Sequence, residues 1–385
     1  MERCDALIVG GGPAGSTCAW KLRRAGMDVV VLDKKAFPRD KVCAGWITPA
    51  VVDELQIDVD EYRSGLVFQP ITGFHTGSLG GDTVHTRYGH PVSYGIRRCE
   101  FDHYLLRRSG ARLRLGEALT TLRRDGDGWT ANDSIRAAMI VGAGGHFCPV
   151  ARFLGARLGA SEQAIAAQEV EFELTAGQAQ ECRVAADTPE LYFCPDLKGY
   201  GWCFRKGDFL NIGLGREDNH RLSDQTAAFC AFLQQHQRIP KDIPTRFNGH
   251  AYLLYSHASR RLVDDGVILI GDAAGLAHPQ SGEGIRPAIE SGLLAADAVI
   301  AAAGDYSKAR LEPYRERLCA RFGPRGTGNG WSDRLPAAAS RAIGRMLLGS
   351  SWFARHVVLD RWFLNVAQPR LADARSRDPR FAPSH

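Results

Sequence analysis

Two glycine clusters carry the chemistry that this sequence can do. The first, Gly10-Gly11-Gly12-Pro13-Ala14-Gly15, follows the apolar run Asp5–Val9 and opens a helical pattern from Gly15 to Ala25, after which a second apolar run spans Asp28–Leu32. In this spacing Gly10 permits a tight turn, Gly12 lets the backbone approach a pyrophosphate, and Gly15 lets the helix pack closely. The helix start offers free N–H groups and partial positive charge to an anion. Asp33 closes the second run 18 residues after Gly15, where a carboxylate can accept hydrogen bonds from a ribose. The second cluster, Gly271-Asp272-Ala273-Ala274-Gly275 with Pro279 and Gly282-Glu283-Gly284-Ile285, again follows an apolar run and precedes a helical pattern. A carboxylate there can hold polyol hydroxyls, and a second helix start can face a ring system that becomes anionic on reduction. Two such sites in one chain predict one extended dinucleotide.

These motifs need a scaffold. A strand, a helix and a strand in the first 33 residues require a right-handed crossover and a parallel sheet, so the chain opens an α/β domain. Phe101–Arg108 reads as a helix, Met139–Val141 as a buried strand, and Val267–Ile270 as a strand leading into the helical stretch Ala288–Ala303. Alternating segments such as Glu169–Leu174 and Phe209–Leu214 predict a mostly antiparallel second domain inserted into the first. The expected fold is therefore α/β, α+β overall. A Rossmann-like cofactor domain takes residues 1–60, 96–165 and 263–310, and a substrate domain takes 61–95 and 166–262. A helical region spans 311–370, and 371–385 forms a disordered tail.

With 385 residues, 44% of them hydrophobic and 24% charged, the chain is long enough for two ordinary cores and unlike collagen, coiled-coil or disordered sequences. A net charge of +5, spread along the chain, gives no reason to expect nucleic acid as a partner. The 10 cysteines form no C-x-x-C pair and no zinc spacing, so no metal site is expected and the thiols read as reduced, in a cytoplasmic protein. The first strand pattern starts just after Met1 and no apolar run reaches about 18 residues, so neither a signal peptide nor a membrane span is expected.

The paired motifs resemble the FAD-binding fingerprints of the para-hydroxybenzoate hydroxylase fold, in which the second motif's Asp contacts the ribityl chain. Arg98-Cys99-Glu100-Phe101-Asp102 is similar to that family's R-x-x-F-D, whose Arg lies near the FAD phosphates. Lys41-Val42-Cys43-Ala44-Gly45 resembles the K-x-C-G-G stretch of the geranylgeranyl reductase branch. Tyr200-Gly201-Trp202-Cys203-Phe204 and Asn211–Gly215 resemble its Y-x-W-x-F-P and N-V-G-x-G motifs. The resemblance covers most of residues 1–320. It implies FAD contacts at Gly10, Gly12, Pro13, Ala14, Gly15, Asp33, Lys34, Lys41, Val42, Cys43, Ala44, Arg98 and Gly144, and in the second motif at Gly271, Asp272, Pro279, Gly282, Gly284 and Ile285. NAD(P)H is the implied electron donor. The chain departs from the pattern where G-A-D-G becomes Gly142-Ala143-Gly144-Gly145, losing an Asp linked to nicotinamide contacts. Arg205 replaces the Pro after Phe204, and Ala44 replaces the first Gly of the cysteine loop.

Within this frame Cys43 either tunes a proton transfer beside the flavin or packs as a small apolar residue. His278 either protonates a substrate carbon or is a plain loop histidine. Tyr200, Trp202 and Phe204 alternate on one strand and share a face, a substrate wall or ordinary core. The stretch Met346–Phe353, with Val357–Leu359 and Trp362–Leu364 after it, is apolar with interleaved Arg345, Arg355 and Arg361. It either touches a membrane peripherally, covers a lipophilic pocket, or packs into a core or dimer face. The resulting expectation is an FAD-dependent enzyme that reduces or dehydrogenates a carbon–carbon bond of a lipophilic or carrier-bound small molecule at flavin N5. The alternatives are a monooxygenase or halogenase of the same fold, and an electron-transfer flavoprotein serving a redox partner.

Overall fold

β1 (Glu2–Val9) lies between β11 (Ile135–Gly142) and β2 (Val29–Asp33) and runs parallel to both. Ala6, Leu7 and Ile8 with Val29 to Leu32 are wholly buried, as strands covered on both faces must be, which is why they read as unbroken apolar runs. β8 (Arg112–Leu115) and β18 (Val267–Leu269) extend the parallel set on either side. Antiparallel β17 (Val263–Asp264) and the hairpin β9 (Leu122–Asp125) to β10 (Gly128–Ala131) complete an eight-stranded sheet. The computed structural model describes residues 1–157, 162, 164–218, 221–258, 260–325, 344 and 346–373.

The second sheet has seven strands in the order β16 (Asn248–Leu253), β12 (Ala164–Glu173), β15 (Phe209–Arg216), β14 (Gly199–Lys206), β13 (Glu190–Phe193), β5 (Gly73–Ser78) and β6 (Thr83–Arg87). All its pairs are antiparallel except β13 with β5. The period of two divides its side chains between two cores. Tyr192, Cys203 and Ile212 face the helix Leu222–Gln235, whereas Leu191, Phe193, Trp202 and Phe204 face the opposite way. The fold class is the expected one, a parallel cofactor sheet joined to a mostly antiparallel sheet.

The differences are local. The first helix spans Pro13–Arg24, two residues ahead of the expected start, because proline suits the first helical position, where no N–H partner is needed. Segment 61–95 divides: β5 and β6 join the seven-stranded sheet, but β4 (Phe68–Ile71) and β7 (Ser93–Ile96) form a three-stranded sheet with β3 (Trp46–Ile47) from the segment assigned to the cofactor domain. A two-residue strand has no alternation to read. The C-terminal part is helical over Lys308–Phe322 and again over Ala354–Phe363, where Leu364 N donates to Leu359 O at 2.8 Å, the five-residue spacing of a widened helix. Leu371, placed in the expected disordered tail, is instead fully buried against the first core; residues 374–385, and Arg345, lie outside the described residues. Among the described residues no helix is long and apolar enough to cross a membrane.

Candidate active site

The first glycine loop is shaped by close approach. Gly10 has φ +115°, and a Cβ there would stand 2.3 Å from Ala143 O; a Cβ on Gly15 would stand 1.9 Å from Gly10 O. No other residue fits either place. Gly12 faces open space, the nearest atom to its Cβ position being Arg39 Nη2 at 3.4 Å. The first helix has no capping side chain and no acid in its first turn, and the helix Ile285–Ala302, starting after Gly284, has neither. Both leave backbone donors for an anion. The two motifs touch, for a Cβ on Gly271 would lie 2.9 Å from Ala14 Cβ. Asp33 turns its carboxylate to this loop, accepting from Gly11 N at 2.7 Å, while Lys34 is exposed. Gly144 backs the cradle against Cys148.

Cations surround the cradle. Arg98 makes a two-pronged pair with the fully buried Asp102 at 2.9 Å for both bonds, and Arg39 reaches the same carboxylate at 3.2 Å, so two guanidiniums share one negative charge. Lys41 Nζ meets His250 Nε2, which lies 3.8 Å from Asp272 Oδ2. Burial pushes Lys41 down to about 8, against the pull of Asp272. Burial also opposes the ionised form of Asp272, but His250, Lys41 and Arg98 outweigh it and hold that carboxyl at about 2. Uncapped helix starts with Arg39, Lys41 and Arg98 match an anionic middle, and the carboxylates of Asp33 and Asp272 match hydroxylated arms, so the donor set fits a flavin dinucleotide.

The ring end of such a ligand would meet the cysteine loop. Pro279 to Gly284 lies against Tyr200, whose hydroxyl donates to Ser281 O at 2.5 Å, and against Tyr252, whose hydroxyl would stand 2.4 Å from a Cβ on Gly282. Cys43 lies near enough to Arg98 for the two groups to act on each other electrostatically. Its backbone N donates to Glu169 Oε2 at 2.6 Å and its carbonyl accepts from Asn211 Nδ2 at 3.2 Å. Lys206, buried, donates to Ala44 O and Ile96 O at 3.0 Å each and pairs with Glu171 at 2.5 Å. Val42 and Ala44 lean on an aromatic cluster in which Phe204 stacks on Trp46 at 4.9 Å, and Trp202 Nε1 donates to Asn211 Oδ1 at 2.7 Å. Phe363 of the C-terminal helix closes this cluster, 5.2 Å from Tyr200 and 5.5 Å from Trp46.

Tyr200, Trp202 and Phe204 thus share the face that the alternation placed them on. His278 faces elsewhere, into a cavity of about 340 Å³ lined by Arg321, Phe322, Arg361, Asn365, Ala367 and Gln368. Burial pushes its pKa down to about 4, so at neutral pH it holds no imidazolium proton to give. Glu169, Lys206, His250, Tyr252 and Arg39 were not singled out from the sequence, whereas Asp102 closes the R-x-x-F-D match. Two acids at alternate positions of β12, on the face turned to the cysteine loop, were the one available signal for the others.

The profile of the FAD binding domain family matches residues 3–322. The chain belongs to that family. A menaquinone reductase of Mycobacterium tuberculosis is 30% identical over 320 residues, 77% of this chain and 76% of that protein. A digeranylgeranylglycerophospholipid reductase of Methanocaldococcus jannaschii is 25% identical over 334 residues, 81% of each. A geranylgeranyl bacteriochlorophyll reductase-like protein from Thermoplasma acidophilum shares the fold, with a TM-score of 0.76, 22% identity, and coverage of 97% of this chain and 99% of that one. The protein is an FAD-dependent oxidoreductase.

Proposed function

We propose that this FAD oxidoreductase reduces a carbon–carbon double bond of a lipophilic small molecule held on the wall of Trp46, Phe193, Tyr200, Trp202 and Phe204. The observation that carries this reading is that wall itself: apolar, beside the second flavin motif through the Tyr200 to Ser281 bond, and covered by Phe363. FAD, when bound, supplies hydride exchange at one edge of its ring. Gly12, Gly15, Arg39 and Arg98 would hold its phosphates, and Asp33 and Asp272 its hydroxyls. Lys41 to Ala44 and Pro279 to Gly284 would flank the ring. The aromatic face orients the substrate and excludes water. Cys43 Sγ, beside Arg98, is the group placed to hand over a proton, whereas His278 points into another cavity and is neutral.

The two relatives are named for reducing menaquinone and a digeranylgeranylglycerophospholipid, which supports an unsaturated lipophilic substrate here. Gly144 stands where the family pattern has the Asp linked to nicotinamide contacts, which favours electron delivery by a redox partner over direct reduction by NAD(P)H. The test is to mix dithionite-reduced protein anaerobically with menaquinone or a polyprenyl lipid and follow flavin reoxidation and product mass. Reoxidation with a product that carries the two added hydrogens on a former side-chain double bond supports the reading, whereas quinol formation at the ring does not. Substrate that reoxidises the flavin only with oxygen, and emerges hydroxylated, overturns it in favour of a monooxygenase.

A further inference from the structure

Both polar groups of the Cys43 peptide unit are answered by side chains of the neighbouring sheet. Cys43 N donates to Glu169 Oε2 on β12 at 2.6 Å, and Cys43 O accepts from Asn211 Nδ2 on β15 at 3.2 Å. The same Nδ2 lies 3.5 Å from Glu169 Oε2 and 3.3 Å from Glu171 Oε1. The other end of the Asn211 amide is fixed by chemistry. The Trp202 indole can only donate, and it meets Asn211 Oδ1 at 2.7 Å, so the amide oxygen must face the wall and the NH2 must face the loop. Turning the amide over would oppose donor to donor on one side and acceptor to acceptor on the other.

The charges around Glu169 are unevenly shared. Glu171 lies on its own strand, Lys206 on β14, Arg97 just after β7, and Lys41, the Cys43 thiol and His250 lie on the loop and on β16. Lys206 and Arg97 both contact Glu171, at 2.5 and 3.5 Å, and Glu169 has no ion pair among the described residues. Burial first, and the Glu171 charge after it, push the Glu169 carboxyl up to about 8, with Lys206 and the Cys43 N–H opposing. With Oε2 occupied by N–H donors, its proton belongs on Oε1.

We propose that Glu169 and Asn211 are positioning residues that clamp the Cys43 peptide and, through Asn211, tie it to Trp202 of the substrate wall. The clamp rests on the reading that Cys43 faces the bound flavin, and the experiment separates the two. Cys43 in the holoenzyme is alkylated with iodoacetamide, and the modified peptide is quantified by mass spectrometry. Glu169→Leu and Trp202→Phe each accelerate the reaction by about fivefold, the worth of one hydrogen bond. Glu169→Gln, whose amide oxygen still accepts the Cys43 N–H, stays within about twofold of wild type. In Glu169→Gln the rate-against-pH curve lies at lower pH than in wild type, because the ionised Glu169 that disfavours the thiolate is gone. A purely structural Glu169 would not give that shift. Wild-type rates in both Glu169→Leu and Trp202→Phe, or an unshifted curve in Glu169→Gln, overturn the clamp; if Glu169→Leu does not fold, the other two variants decide. Removal of FAD from the wild-type protein addresses the other question, since an unchanged Cys43 rate overturns the flavin-facing reading alone.

Discussion

Replacing Phe363 by Ala should undock the C-terminal cover without unfolding the protein. Phe363 has no exposed surface and meets the rings of Tyr200, Trp46 and Phe193 at 5.2, 5.5 and 6.4 Å. Truncating such a residue costs about 3–5 kcal/mol, and the surrounding rings are too rigid to collapse into the gap. The neighbouring tethers survive: Tyr88 donates to Asp360 at 2.7 Å, and Arg286 and Arg321 hold the carbonyls of Gln368 and Pro369 at 2.7 to 3.0 Å. The loss therefore falls on local docking, where about 4 kcal/mol raises the open fraction roughly a thousandfold. Hydrogen exchange read by mass spectrometry should show that acceleration in peptides from 346–366, while the first helix and Ile285–Ala302 keep their protection and the flavin spectrum holds. Phe363→Leu should show only a small part of it. Uniform acceleration along the whole chain, or none at 346–366, would refute the idea of a separately docked cover.

Other substitutions probe the remaining parts. Gly15→Ala places a methyl 1.9 Å from Gly10 O, so purified protein should lose FAD and melt earlier; a normal flavin content would refute the cradle. Asp272→Ala should weaken FAD retention in equilibrium dialysis, and wild-type retention would remove the hydroxyl assignment. Trp202→Ala should impair turnover while the flavin spectrum stays nearly normal, whereas loss of FAD would make Trp202 structural. Glu283 is pushed up to about 7 by burial and by Glu290, against Arg286. A carboxyl with a raised folded pKa favours folding in its protonated form, so its ionisation weakens the fold as pH rises from about 4.5 through 7. Glu283→Gln should therefore raise the melting temperature at pH 8 but not at pH 5, and an equal effect at both would count against this.

What could be read from the sequence was what neighbours in the chain decide. The turn glycines, Asp33 and Asp272 stand next to the strands and helices that use them, and the alternation of Tyr200, Trp202 and Phe204 survives because β14 is regular. The clamp on Cys43 comes from residues 126 and 168 positions away, and no local pattern announces such pairings. Phe363 looked like any residue of an apolar stretch until the strands assembled the rings it covers. His278 was drawn to the flavin by its place in a motif, and the structure sets its ring against the cavity of Arg321 and Gln368, because a loop backbone fixes position in the chain and not the direction of a side chain.

The contact between Gly271 and Ala14 has a consequence for how the protein is made. About 250 residues separate these two halves of one cradle, so a ribosome adding 5–20 residues per second spends roughly 10–50 s between them. For that interval the nascent chain carries half a binding site. Completion of the cofactor site is thus a late event of biogenesis, and a ribosome stalled before the second motif holds a chain with only the first half of it.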